Sequence, residues 1–137
     1  MRNKLALVLA GAGMLLAVAP IWAHHAFAAE FDANKTVTLK GTVTSLEWTN
    51  PHIWVYLDVN DGQSGPQHWQ CEGGPPNTLT RNGWTKDSLK FGDQITIDGA
   101  LAKDGSKTCN VRTVKLPDGR SVFGGSSGGD APPPPKP

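Results

Sequence analysis

The sequence is poor in the groups that most protein chemistry needs. Two cysteines and four histidines are spread over 137 residues, and no C-x-x-C or close Cys/His spacing accompanies either cysteine. The usual zinc and dithiol patterns are therefore excluded. No HExxH, P-loop, dinucleotide glycine pattern or nucleophile elbow is found, and the carboxylates are scattered singly along turns and strand faces. An enzyme is not expected. Charge of one sign is missing too, with 13 basic against 12 acidic residues, so there is no basic stripe and nucleic acid is excluded as a partner.

Long apolar runs are absent except at the start. Met1-Arg2-Asn3-Lys4 precedes an unbroken apolar stretch from Leu5 to Ala19, the positive and apolar regions of a secretory leader. The stretch from Leu5 through Ala23 just reaches the roughly 18 to 20 residues that span a bilayer, so an uncleaved anchor is the alternative. Gly11, Gly13 and Pro20 make it a weak span, and cleavage is the expectation, leaving no stable membrane span. Cleavage after Ala23 puts Ile21 at the minus-three position and starts the mature chain at His24. Cleavage after Ala28 follows the small-x-small rule better and discards both His24 and His25. No cysteine lies near the leader, so a lipid-modified start is excluded and a periplasmic or secreted protein is expected. The expected plan is a leader over residues 1–23 (cleavage as late as 28), one domain over 31–123 and a Gly/Ser/Pro tail over 124–137. The span between leader and tail suits a single core.

Outside the cytoplasm, Cys71 and Cys109 are expected to form a disulfide across a separation of 38, with two free thiols as the alternative. The rest of the domain is written in period two. Val37, Leu39, Gly41 and Val43 alternate with threonine and lysine; Ile53, Val55, Leu57 and Val59 alternate with His52, Trp54, Tyr56 and Asp58. Gln67 to Glu72, Ile95 to Gly99 and Thr108 to Leu116 supply three further strands, the last changing phase between Val111 and Val114 as a bulge requires. Pro76 to Asn82, followed by Gly83, predicts a short helix. Three strands, a helix and two strands give an all-β fold: a small five-stranded OB-like barrel, or a curled antiparallel sheet.

If Val59 pairs with Gln67, Asp58 faces His68, and Ile53, Val55, Leu57, Trp69 and Cys71 share the core face. Trp54, Tyr56, His68, Gln70 and Glu72 then share the other. Asn50, His52, Trp54, Tyr56 and His68 are the candidate binding residues, for a periplasmic protein or a small ligand. The alternative has the helix and the Trp84 segment folding over Trp54 and Tyr56. Asp58 orienting His68 as a base is the one catalytic arrangement on offer. In the same register, His52 and His68 stand about 20 Å apart and cannot share a metal ion. The metal candidates are His24 and His25, whose amine and imidazole nitrogens suit copper, with Glu30 and Asp32 as further oxygen ligands.

Several phrases occur in order: His24-His25-Ala26-Phe27, Glu30-Phe31-Asp32, Glu47-Trp48-Thr49-Asn50-Pro51-His52, Arg81-Asn82-Gly83-Trp84 and Leu116-Pro117-Asp118-Gly119-Arg120. Together they resemble a family of small exported bacterial proteins of unknown function. The resemblance implies a periplasmic address and no catalytic residues.

Overall fold

The computed structural model describes residues 27–125. Six strands are present: β1 (Phe31–Glu47), β2 (Trp54–Asn60), β3 (Pro66–Glu72), β4 (Gln94–Ala102), β5 (Thr108–Lys115) and β6 (Ser121–Phe123). Helix α1 (Pro76–Arg81) lies between β3 and β4. β1 pairs antiparallel with β2 and with β4, β2 with β3, and β4 with β5, while β3 and β5 run parallel. That last pairing seals a ring of five strands, the OB-type order, so a curled open sheet is not formed. The sixth strand corrects the expected count: β6 hangs antiparallel on β5, outside the ring.

The 17-residue β1 serves two partners, and Gly41 marks the place where it passes from one to the other. A Cβ there would lie 2.6 Å from the Asp58 carbonyl oxygen, so no side chain fits between the crossing strands. The phase change in β5 is a bulge. Asp98 faces Thr113 while Gly99 faces Val111, leaving Arg112 as the extra residue. Inside the ring, Leu39, Val43, Ile53, Val55, Leu57, Ile95, Ile97, Val111 and Val114 form one buried cluster. Cys71 of β3 and Cys109 of β5 sit opposite each other in it, at disulfide distance with Cα atoms 4.5 Å apart.

Helix α1 starts on Pro76, whose missing N–H costs nothing at a helix start, and stops before Gly83 at φ +89°. It carries Leu79 into the core, and the chain then brings in Trp84. The helix segment therefore plugs the barrel instead of folding over Trp54 and Tyr56, which stay half-exposed on the outer face. The indole N–H of Trp84 donates to the Phe123 carbonyl at 2.9 Å. Directly after it, Gly124 donates to Arg112 and accepts from Gly74. Gly124 and Gly125 are buried, so the expected tail begins at least two residues later than Gly124. A Cβ on Gly74 would meet the Gly125 carbonyl at 2.3 Å, which is why glycines stand on both sides of this seam. The leader, its cleavage positions, His24, His25 and residues 126–137 lie outside the described residues. Among the described residues no helix is long and apolar enough to cross a membrane.

Candidate functional site

The β2–β3 hairpin takes the register that the sequence implied, with Val59 opposite Gln67, Asp58 opposite His68, Tyr56 opposite Gln70 and Trp54 opposite Glu72. All six side chains of the last three pairs therefore project from the outer face. At the far end His68 Nδ1 lies 2.5 Å from Asp58 Oδ1, but the His68 side chain is 83% exposed. Water competes for such a pair, and it adds little to stability.

His52 precedes β2 and is held by backbone on both sides. Ile53 N–H donates to Gly74 at 3.2 Å, and Gly73 N–H donates to Ile53 at 2.9 Å. This extension of the hairpin ladder brings His52 Nδ1 onto Glu72 Oε1. Glu72 departs from expectation: it belongs to the outer face, yet it is only 8% exposed, with Asn110 of β5 as its neighbour across the parallel seam. Burial pushes its carboxyl above the usual 4.5, with His52 opposing and Glu30 adding to the rise.

A carboxyl that holds its proton more tightly folded than unfolded opposes folding when ionised. The opposition fades as the pH falls from the raised folded value toward the ordinary one. Wild type should therefore gain stability relative to Glu72→Gln as the pH is lowered toward about 4.5, read from paired urea-unfolding curves. A pH-independent difference between the two would contradict this assignment.

Next to Glu72, Trp54 walls a cleft of about 610 Å³, together with Glu30, Phe31, Gln70, Lys103 and Thr108. Gln70 Nε2 donates to Thr108 Oγ1 at 3.1 Å, and Ser106 Oγ donates to the same oxygen at 2.9 Å. These hydroxyls are engaged with each other and with an amide. A smaller hollow of about 270 Å³ continues along β3, lined by Tyr56, His68, Trp69 and Lys107, and shares Gln70, Ser106 and Thr108 with the first. The Tyr56 phenol is pushed up by its surroundings and by the Glu47 carboxylate; Glu47 flanks Trp54 on the neighbouring strand.

The structure thus gathers Trp54, Tyr56 and His68 along one strip. It leaves His52 beside Glu72 at the strip's end and Asn50 exposed in the turn before it. Lys103, Ser106 and Thr108 are marked by nothing local in the sequence; the β3–β5 seam brings them to the strip, and the start of β1 brings Glu30 there. Trp69 is half-buried against the core, on the side expected.

The family of unknown function DUF6152 matches residues 13–111. The chain belongs to DUF6152. No curated protein and no solved structure matches it. The DUF6152 segment takes in Glu30, His52, Trp54, Glu72 and the strands of the strip. It ends at Val111, so β6 and the Gly124–Gly125 seam lie beyond it. Among the described residues, no three His, Cys, Asp or Glu side chains converge as metal ligands. The arrangement offers an indole face, an amide, hydroxyls, the ammonium groups of Lys103 and Lys107, and carboxylates, which is chemistry for holding a polar ligand.

Proposed function

We propose that the protein is an exported, non-catalytic binding module whose ligand seat is the cleft beside Trp54. The observation that carries this reading is a half-exposed indole forming one wall of a cleft of about 610 Å³ whose other walls mix the apolar Ala29, Phe31 and Ala102 with hydrogen-bonding groups. Its volume is that of a small-ligand site. An aromatic wall takes the apolar side of a ligand, and the Gln70–Thr108–Ser106 chain takes its polar edge. The ligand class that fits is a small polar molecule, or a partner's polar loop, presenting one apolar face. Export is supported by the Leu5–Ala19 stretch after Arg2 and Lys4, and by a buried cysteine pair at disulfide distance.

Chemical-shift titration with neutral oligosaccharides, short peptides and a periplasmic extract tests it. Binding should move the Trp54 indole and Gln70 amide signals, and Trp54→Ala should weaken it about tenfold or more. A folded Trp54→Ala protein that binds as the wild type does would rule the cleft out.

Copper binding is the second reading. It rests on His24 and His25, which stand six and five residues before Glu30, a residue close enough to Glu72 to raise its pKa. The amine and imidazole of a mature His24, with His25 as helper, would supply nitrogen ligands. Calorimetric Cu(II) titration of the mature protein should show one site that is lost in His24→Ala. An unchanged titration in that variant would end this reading.

A further inference from the structure

Two leader-cleavage positions compete, and the folded domain distinguishes them. The small-x-small pattern Ala26-Phe27-Ala28 favours a cut after Ala28, which discards Phe27. The structure uses that residue. Residues 27–30 form a helical turn, and the Phe27 ring packs on Phe31 with centroids 5.7 Å apart. Phe31 is only 3% exposed at the head of β1, where it pairs with Ala102.

The turn is also tied down by polar contacts. Lys103 N–H donates to the Glu30 carbonyl at 2.9 Å, and Lys103 Nζ donates to the Ala28 carbonyl. A cut after Ala28 would remove the Phe27 ring and uncover part of Phe31. It would also leave an α-ammonium on Ala29, close to where the Lys103 ammonium now sits. Ala29 lines the Trp54 cleft, so that charge would stand on the wall of the ligand seat. Peptidase acts on the chain before it folds, so these contacts do not steer the cut. They are contacts that a chain beginning at Ala29 would lack.

We infer that the leader is removed after Ala23, so that the mature chain begins at His24 and retains Phe27. A host signal peptidase hydrolyses the Ala23–His24 peptide bond. Water supplies the oxygen of the new Ala23 carboxylate, and its protons pass to the freed His24 amine. This rests on the export reading. It deepens the account of the binding site, because Ala29 on the cleft wall then carries a peptide bond in place of a free ammonium. It also delivers the free His24 amine that the copper reading needs.

The test is the intact mass of the full chain after export by a bacterial host. A mass starting at His24 is expected. A start at any other residue overturns the inference. A start at Ala29 leaves export standing, whereas an uncut chain beginning at Met1 removes export as well. A second measurement compares chains produced to begin at His24 and at Ala29. The Ala29 chain and the His24 chain carrying Phe27→Ala should both melt at a lower temperature than the unaltered His24 chain. Equal melting of all three would overturn the structural ground for the inference.

Discussion

Replacing Cys71 and Cys109 together by alanine should lower the unfolding free energy by about 4 kcal/mol, the chain-entropy value for closing a loop of this length. The separation is 38 residues, and the bond crosses the β3–β5 seam, where strands distant in sequence must meet in parallel. Small domains have only about 5 to 15 kcal/mol of stability in all, so the variant should be close to unfolding at physiological temperature. Urea unfolding of the oxidised protein, the reduced protein and the double variant makes the measurement. Reduced and double-variant midpoints should fall together, well below the oxidised one. Three coincident curves would show that the cysteine pair does not hold the barrel shut.

Truncating Trp84 to alanine should cost about 3 to 5 kcal/mol, the range for deleting a buried aromatic. Trp84 is 2% exposed and carries two duties. Its ring fills the barrel end beside Leu79, and its indole N–H satisfies the Phe123 carbonyl. The duties separate in Trp84→Phe, which keeps most of the ring and orphans the carbonyl, at a cost of about 1 to 3 kcal/mol. Because Gly124 follows Phe123 and bonds to both Arg112 and Gly74, amide exchange at Gly124 and Gly74 should speed up in Trp84→Phe more than exchange in β2. Uniform acceleration across the domain would mean that the β6 seam has no independent dependence on the indole.

Much of this architecture is legible in the sequence because two-residue alternation fixes both face and register. The facing of Asp58 and His68 follows from that rhythm and one turn, and the β5 bulge follows from the break of phase between Val111 and Val114. Helix α1 is marked by Pro76 and Gly83, residues whose backbone preferences act locally. What stayed hidden depends on contacts between distant segments. The alternation that marks the first strand starts only at Val37, yet backbone pairing of Phe31 and Asp32 with β4 carries β1 back to Phe31. Gly124 and Gly125 read as a linker, because a glycine needed for close backbone approach is indistinguishable from one needed for flexibility. Glu72 alternates as a surface residue should, and is buried because β5 runs beside it and His52 pairs with it. The candidate strip was half legible for the same reason. Its aromatics belong to a local hairpin, whereas Glu30, Lys103 and Thr108 arrive from three other places in the chain.

The closed barrel underlies the core, the disulfide and the cleft alike, and the parallel β3–β5 seam is its distinguishing feature. Backbone nuclear Overhauser contacts across that seam test it most directly. The account predicts contacts linking Gln70 with Thr108, Cys71 with Cys109 and Glu72 with Asn110, in parallel register, alongside those of the β2–β3 hairpin. A spectrum that shows the hairpin contacts and lacks all three seam contacts would contradict it.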